Sequence, residues 1–374
     1  MKIALFVTSR TTIPPQTNII SATAYLTQFL ADKLVERGHE VTLYAPKGSK
    51  SKANIIDLGI PPTNHDYGLH PEEWVKNMNL GMKQIFLSEL YKHHNVYDII
   101  HLQTEPAYLG MPLAHLITTP TVITNHNIFL SQERPIFVHY QDIPIVTISK
   151  NQRSTAPKYN HIDTVYDGIP INQFKFRNQC DPEEALGFLG RLVEVKGVRE
   201  AITAAEQTKK LLRISGIGTA SYITSTITPH LSKLIQYVGF MEQLSTSWFK
   251  FFQIAKAFLM PIQWEEPFGL VTIEAMACGT PIIAFARGAM PEIIVDGVTG
   301  FLVNSTDADI RGNWIVKKTG MPGFIEAIER MYALSSEEYK TMRTQCRQRV
   351  ERYFSIDQMV TGYENVYKKI LKNS

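Results

Sequence analysis

Short apolar runs alternate with amphipathic stretches along the first half of the chain. The apolar runs lie at 3–7 (IALFV), 40–46, 97–102, 119–126 and 143–149. Between the first two, residues 22–37 have apolar positions at three- and four-residue spacing and end at Gly38, which is typical of an amphipathic helix. A second helix is expected near 106–117. This alternation predicts βαβ units, in which parallel strands are covered by helices.

The same alternation resumes after DGIPINQFKF (167–176), with strands predicted at 185–190, 211–216, 234–239, 257–261 and 280–285 and a helix at 198–208. The chain is therefore predicted to be α/β, with two Rossmann-like halves joined near residue 168. No strand or helix is predicted for the polar stretch 47–80. The final segment is amphipathic and can pack on either half through its apolar positions Met359, Tyr363, Val366, Tyr367 and Ile370.

Composition narrows the class of protein. A chain of 374 residues is too long for one ordinary core, and 44% apolar with 20% charged residues excludes a disordered or membrane-spanning chain. The net charge of +3, without a basic run, argues against a nucleic-acid partner. An anionic substrate or a peripheral contact with lipid headgroups stays open. The three dispersed cysteines and a first segment that reads as a buried strand, not a signal peptide, favour a cytoplasmic location.

WEEPFGLVTIEAMACGTPII (264–283) is the most informative stretch. A short helix is predicted from Phe268 or Gly269 to Gly279, and the free N–H groups of its first turn suit a phosphate. Glu266 lies at that helix start, and Glu274 lies roughly 8 Å farther along the axis at ~1.5 Å per residue. Carboxylates accept hydrogen bonds from hydroxyl pairs, so the pattern suggests a nucleotide sugar. The alternative is a capping glutamate and a salt-bridged one.

Other candidates follow predicted strands, where ligands of such folds bind. In FLGRLVEVKGV (188–198), Arg191 and Lys196 could neutralise a diphosphate, or they could be solvated loop charges. His101 and His126 each end a strand and are either site groups or structural residues. Combined with the other stretches, His126 becomes a candidate beside the reacting sugar.

Three motifs point elsewhere. GIGTAS (216–221) has two glycines of a dinucleotide fingerprint, but Ser221 replaces the third, which argues against NAD. In DAD (307–309), Asp307 and Asp309 match a metal-binding pair, although helix capping is the favoured interpretation. WFKFFQIAKAF (248–258) is interpreted as a core helix rather than a membrane-seeking patch.

The Glu-x7-Glu stretch EPFGLVTIEAMACGTP, GRLVEVKG (190–197), GVTGFLV (297–303), RGHEVTLYAP (37–46) and YDIIHLQ (97–103) resemble the retaining GT-B glycosyltransferases of family 4. The resemblance covers nearly the whole chain. It implies two Rossmann-like domains facing an interdomain cleft, an amino-terminal domain of 1–168 completed by the crossover helix 354–374, and a donor-binding domain of 169–353.

The resemblance also implies roles for the residues singled out above. Arg191 and Lys196 would bind the donor diphosphate, Glu266 the sugar hydroxyls and Glu274 the ribose diol. His126 would lie near the donor sugar, and UDP is the expected nucleotide.

Backbone N–H groups of Phe268, Gly269 and Leu270 would meet the sugar or phosphate according to the same resemblance. The family needs no cofactor and usually no metal, which agrees with setting Asp307 and Asp309 aside.

Two positions depart from the family pattern. Ser21-Ala22 stands where many relatives have Gly-Gly, so the loop 11–22 is expected to be shaped differently. Asp167-Gly168 replaces the usual Asn-Gly before the linker, with little consequence expected.

The function predicted from the resemblance is transfer of a sugar from a nucleoside diphosphate sugar to an acceptor hydroxyl with retention of configuration. The acceptor can be a sugar, a lipid-linked or a small molecule. Glu105 is the nearest candidate nucleophile, although a front-face reaction fits the family better. The alternatives are a nucleotide-sugar epimerase and a non-catalytic binding partner. The latter is disfavoured because a degenerate partner would have little need of five residues together, namely Arg191, Lys196, Glu266, Glu274 and His126.

Overall fold

The computed structural model describes residues 1–16, 19, 21–63 and 72–373. The chain divides into two compact units, one formed by Met1–Ile169 with Ile356–Ser374 and the other by Pro170–Ser355. The division expected from the sequence, after residues 168 and 353, differs from this one by about one or two residues.

The first unit is built on a parallel sheet of seven strands in the order β3-β2-β1-β4-β5-β6-β7. These strands are β1 (Lys2–Phe6), β2 (Glu40–Tyr44), β3 (Asn54–Ile56), β4 (Ile99–Leu102), β5 (Thr121–Asn125), β6 (Ile145–Thr147) and β7 (His161–Thr164). Its helices are α1 (Ala22–Glu36), α2 (Glu72–Lys92), α3 (Met111–Ala114), α4 (Arg134–His139), α5 (Lys150–Thr155) and α13 (Ile356–Asn373).

The second unit has a parallel sheet of six strands in the order β10-β9-β8-β11-β12-β13. They are β8 (Leu186–Arg191), β9 (Leu212–Ile217), β10 (Ile235–Tyr237), β11 (Ala257–Met260), β12 (Ile282–Phe285) and β13 (Gly300–Val303). The helices are α6 (Val198–Thr208), α7 (Ala220–Tyr222), α8 (Thr246–Ile254), α9 (Leu270–Ala277), α10 (Met290–Ile293), α11 (Gly320–Ala333) and α12 (Ser336–Tyr353).

Both sheets are buried on their two faces, which explains their continuous apolar runs. Residues 3–6 of β1 and all of β11 and β12 are buried. In the first unit, α13 packs against α1 and buries the apolar positions predicted for it. Because parallel strands end at one edge, the residues after β4 and β5 come together there.

The strands and helices differ from the sequence prediction mainly where the pattern was weak. β3 lies within the unassigned stretch 47–80 and α2 begins in it, and residues 64–71 of this stretch are outside the described part of the chain. β7 was not predicted, because HIDT is polar and only half-buried. The single helix expected near 106–117 is a 3-10 turn, Ala107–Gly110, followed by the short α3, in which Pro112 occupies the first turn.

The stretch with an alternative membrane interpretation forms α8, whose Trp248, Phe251 and Phe252 are buried in the core. This confirms the interpretation as a core helix. In the described part of the chain, no helix is both long and apolar enough to cross a bilayer.

Candidate functional site

The helix predicted inside residues 264–283 is α9, and it begins at a glycine. Gly269 is the residue before the first helical turn and has a φ of 98°, a left-handed conformation that favours glycine. The backbone N–H of Thr272 donates to the Gly269 carbonyl at 2.9 Å. The first N–H groups of any helix lack an intrahelical acceptor, so the Gly269–Leu270 peptide opens a turn that can meet an anion.

Lys196 and Glu266 form an ion pair beside this helix start. Lys196 ends a 3-10 turn, Glu194–Lys196, that follows β8, and its Nζ lies 2.5 Å from Glu266 Oε2. The Trp264 indole N–H donates to the same oxygen at 2.8 Å, and the Lys196 ammonium lies 4.8 Å from the Trp264 ring centre. Glu266 Oε1 makes no hydrogen bond to a described residue. A cation and an available carboxylate oxygen therefore lie side by side.

Glu274 is a buried acidic residue of the second unit. Its side chain lies on α9 and is 1% exposed. The Gln243 amide donates to Oε1 at 3.1 Å, whereas Oε2 has no hydrogen-bond partner among the described residues. Burial raises the pKa of the Glu274 carboxyl to about 7, against the smaller opposing effects of Gln243 and Trp248. The Trp248 indole N–H, which lowers this pKa, is also buried without a hydrogen bond of normal geometry among the described residues, so Oε2 keeps acceptor capacity that suits a ligand hydroxyl.

These contacts correct the alternative interpretation of the two glutamates. Glu266 does not cap α9, because that helix is preceded by Gly269 and has no side-chain cap. Glu274 makes no salt bridge with a described residue.

Arg191 is the last residue of β8 and is exposed. Its side chain makes no hydrogen bond or ion pair with a described residue, so the structure does not join it to Lys196 or Glu266. Within the described part of the chain its guanidinium is an unpaired cation at the strand end that leads into the turn of Lys196. Phe268 is buried and packs edge-on against Phe354, with 5.8 Å between ring centres.

Glu265, which the sequence analysis did not single out, braces the loop before α9. The Arg311 guanidinium donates to both of its carboxylate oxygens at 2.7 Å, and the Gly288 N–H donates at 2.8 Å. A Cβ at Gly288 would lie 2.2 Å from the Glu266 carbonyl oxygen, so only glycine fits. In the sequence, the adjacent pair Glu265-Glu266 is the feature that could have indicated this role.

The two aspartates of DAD are not helix caps, which corrects the favoured interpretation. Asp309 accepts from Arg311 at 2.7 Å and from the Ser305 hydroxyl at 3.0 Å. Asp307 accepts from the Thr319 hydroxyl at 2.5 Å. Both carboxylates are used within the loop after β13. Among the described residues, no group of three or more His, Cys, Asp or Glu side chains could hold a metal ion.

The glycines of GIGTAS have a packing role. A Cβ at Gly216 would lie 1.9 Å from the Gly190 carbonyl oxygen, and one at Gly218 would lie 2.6 Å from the Leu192 carbonyl oxygen. They allow β9 and its following loop to lie against β8.

In the first unit, His126 follows β5 and has a buried side chain. Its Nε2 lies 2.9 Å from Gln103 Oε1, and its Nδ1 lies 3.8 Å from Asp167 Oδ1. Burial lowers the pKa of His126 to about 4 and raises that of Asp167 to about 8. Sequence reasoning missed Gln103 and expected little consequence from Asp167, although both come shortly after strands that end at the same edge.

His101 has a structural role at that edge. Its Nδ1 lies 2.7 Å from the Tyr367 hydroxyl and its Nε2 lies 2.8 Å from the Thr124 hydroxyl. Thr124 donates to the Tyr363 hydroxyl at 3.2 Å. Burial lowers the pKa of His101 to about 3, so this histidine is neutral and ties β4 to α13.

The backbone at the start of α1 does not require glycine where the chain has Ser21-Ala22. Ser21 has a φ of −148°, a negative value that does not require glycine, and α1 begins at Ala22. In the loop expected at 11–22, residues 17, 18 and 20 lie outside the described part of the chain. Glu105 is exposed, and its carbonyl accepts a hydrogen bond from the buried Lys83 ammonium.

Two protein families match the chain in separate segments. Residues 171–310 match Glycosyl transferases group 1, and residues 24–164 match Glycosyltransferase Family 4. A D-inositol 3-phosphate glycosyltransferase of Mycobacterium sp. (strain JLS) is 29% identical over 256 residues. That match takes in 58% of this chain and 57% of the relative, so the chain spans little more than half of that protein. An uncharacterized glycosyltransferase of Methanocaldococcus jannaschii is 25% identical over 340 residues, 79% of this chain and 84% of the relative.

Solved structures show the same fold at low sequence identity. Sucrose-phosphate synthase from Thermosynechococcus elongatus superposes with a TM-score of 0.75 at 18% identity, and each chain is covered completely. Anabaena HepE, in complex with UDP and glucose, gives a TM-score of 0.71 at 17% identity, covering 98% of this chain and 99% of that one.

Proposed function

Because the chain belongs to the family 4 glycosyltransferases and has their GT-B fold, we propose that it transfers a hexose from a UDP-sugar to an acceptor hydroxyl with retention of anomeric configuration. The observation that carries this proposal is the Lys196–Glu266 pair beside the glycine-led start of α9. It combines a cation for phosphate with a carboxylate for sugar hydroxyls. The UDP found in the HepE structures supports the choice of nucleotide.

Lys196 has to change partners when the donor arrives. In the present arrangement its ammonium neutralises Glu266, and the Trp264 N–H shares the same oxygen. A diphosphate offers more negative charge, and the ammonium turns towards it while Trp264 continues to hold Glu266. The carboxylate then accepts from sugar hydroxyls. Fixed positive charge at the leaving diphosphate stabilises the transition state, which is the main demand of this reaction.

Arg191 and the start of α9 supply the remaining positive charge. Arg191 is exposed and makes no ion pair within the described residues, so binding it to phosphate breaks no existing contact. The N–H groups at Gly269 and Leu270 add the partial charge of the helix terminus. With these three sources of charge on the protein, we propose a reaction that does not depend on a metal ion or other cofactor.

Glu274 is proposed to hold the ribose diol. Its Oε2 is buried without a hydrogen-bond partner among the described residues, and a ribose hydroxyl would supply a donor. A carboxylate is a stronger acceptor than a carboxylic acid, so donor binding favours the ionised form of this group.

The reaction is proposed to take place in the cytoplasm, since Cys180, Cys278 and Cys346 are all free thiols, as expected in a reducing compartment. His126, at the end of β5, is proposed to lie beside the donor sugar. The mycobacterial relatives named for D-inositol 3-phosphate suggest polyol phosphates as the first acceptors to test.

A donor panel tests the proposed function. Purified protein is mixed with UDP-, GDP- and ADP-hexoses, with and without polyol phosphate acceptors, in the presence of a metal chelator. We expect acceptor-dependent release of UDP, and a product whose anomeric proton coupling in NMR matches that of the donor. A new sugar isomer formed from the donor alone would instead indicate an epimerase. No nucleotide release with any donor, with or without acceptor, would instead favour a non-catalytic binding partner.

A further inference from the structure

His126 lies in a buried polar cluster with Gln103, Thr27 and Asp167. Two polar atoms of this cluster have no hydrogen-bond partner among the described residues. Gln103 Oε1 lies 2.9 Å from His126 Nε2, and Thr27 donates to the same oxygen at 3.4 Å. Asp167 Oδ1, 3.8 Å from His126 Nδ1, has no hydrogen-bond partner among the described residues, and neither has Gln103 Nε2. The side chains of His126 and Asp167 are 5% and 3% exposed.

The proton positions follow from these contacts. Gln103 Oε1 is an acceptor, so His126 Nε2 carries a proton and donates it to Gln103. A neutral imidazole then has a lone pair on Nδ1, the nitrogen that lies 3.8 Å from Asp167 Oδ1. An ionised carboxylate would place a second acceptor against this lone pair, with both side chains buried. One proton between the two groups removes the conflict, and a small side-chain movement closes the distance to a hydrogen bond.

We propose that Asp167 is a positioning residue whose protonated carboxyl group donates to His126 Nδ1 while Gln103 accepts from Nε2. These two bonds fix the ring and, through it, the main chain at the end of β5. Because the ring of His126 is buried, the main chain is the part of this residue that is exposed to solvent.

The electrostatic surroundings agree with a neutral carboxyl group. Burial alone raises the pKa of Asp167 to about 8, with no contribution from a cation. The titratable groups that face the cluster are His101 on β4 and Tyr363 and Tyr367 on α13. Burial lowers the pKa of His101 to about 3 and raises the pKa of both tyrosines, so all three are uncharged at neutral pH. The Gly168 N–H next to Asp167 donates to the sulfur of Met359.

The imidazole nitrogens report the arrangement directly. In protein labelled with 15N-histidine at pH 7, we expect His126 to be the neutral Nε2–H tautomer. In D167N the amide N–H replaces the carboxyl proton and the tautomer is kept, whereas D167A loses it. An Nδ1–H tautomer or a doubly protonated ring at pH 7 in the wild type would overturn the proposal. This readout does not depend on any transferase activity.

The effect on turnover rests on the proposed function, in which His126 lies beside the donor. Wild-type kcat/KM is expected to fall about tenfold between pH 7 and pH 9, since one pH unit above a pKa of about 8 leaves about a tenth of Asp167 protonated. D167N has no such proton to lose and should keep its rate over that range. D163N, a matched control on β7, should show the wild-type fall.

Two outcomes separate the failure of each idea. If no donor is turned over but His126 shows the expected tautomer, the positioning role stands and the proposed function fails. If the wild type and D167N lose activity in parallel above pH 8, the role of Asp167 is wrong and the transferase proposal survives.

Discussion

In the described part of the chain, the Lys196 ammonium contacts one carboxylate oxygen and one aromatic ring and donates to no backbone carbonyl. Replacing it by alanine removes the cation closest to Glu266 and leaves the strands and helices intact. We expect K196A to lower kcat/KM by about 10²–10³, the usual cost of removing one group that stabilises developing charge. The matched control K233A removes an exposed lysine of the same unit and should keep full activity. Equal rates for the two variants, measured by nucleotide release, would remove Lys196 from the mechanism.

Glu274 provides a pH-dependent test of the ribose contact. Its carboxyl has a pKa of about 7 because of burial, so the ionised fraction rises between pH 6 and pH 8. The KM for the donor should therefore fall as pH rises through this range. In E274Q the KM should be about tenfold higher than in the wild type at pH 8 and should not change with pH. A wild-type KM that is flat from pH 6 to 8 contradicts the assignment.

The sequence indicated Lys196, Glu266 and Glu274, but neither the ion pair of the first two nor the raised pKa of the third. The spacing of Glu266 and Glu274 around Phe-Gly predicted a helix start between them, and α9 begins there. The Lys196–Glu266 ion pair joins positions 70 residues apart and depends on how β8 and β11 lie in the sheet. The raised pKa of Glu274 depends on burial, which no local pattern encodes.

At the scale of elements, Gly197 and Gly269 both have a left-handed backbone conformation and directly precede a helix, but different atoms lie next to them. Gly197, before α6, has a φ of 79°, and a Cβ there would lie 1.9 Å from the Pro261 carbonyl oxygen. Gly269 has a φ of 98°, and a Cβ there would meet the end of the flexible Met290 side chain at 2.8 Å. G197A should destabilise the protein by ~2–5 kcal/mol, from backbone strain plus steric overlap.

G269A should cost only ~1–2 kcal/mol, because the Met290 side chain can move. Its main effect should be on UDP binding, since the new methyl group lies at the turn proposed to meet the ligand. Thermal unfolding and UDP titration of both variants separate the two effects. Equal losses of stability in G197A and G269A would contradict the expectation that overlap with a backbone carbonyl costs more than overlap with a movable side chain.

Elements with strong periodicity were predicted well. The helix at 198–208 coincides with α6, and the apolar face predicted for the last segment is the buried face of α13. β3 and β7 escaped prediction because each is short and only half-buried, so its composition does not stand out from a loop. The single helix expected near 106–117 failed because two prolines and a glycine interrupt that segment.

At the scale of the whole molecule, buried acids make stability depend on pH. The pKa of Asp167 is raised to about 8 in the folded state, so its contribution to stability is complete below its unfolded pKa near 3.8 and is lost as pH rises through about 8. D167N removes this loss. We expect the free energy of unfolding to depend less on pH in D167N, by up to about 1.4 kcal/mol per pH unit between pH 5 and 7.

Denaturant unfolding at pH 5, 6 and 7 measures this difference, with D163N as the control. The buried histidines act in the opposite sense at lower pH, since their lowered pKa values stabilise the protein above pH 6.5 and destabilise it as pH falls towards 4. Parallel curves for the wild type and D167N would show that Asp167 is ionised in the folded protein.

The central claim is that the second unit holds a nucleoside diphosphate through Lys196, Glu266 and Glu274 at the start and along the length of α9. The most direct measurement is calorimetric titration of UDP into the wild type and into the double variant K196A/E274A, with a metal chelator present. We expect saturable binding at one site in the wild type and at least 100-fold weaker binding in the double variant. Equal affinity in both proteins, or no binding of UDP, GDP or ADP by the wild type, would contradict the claim.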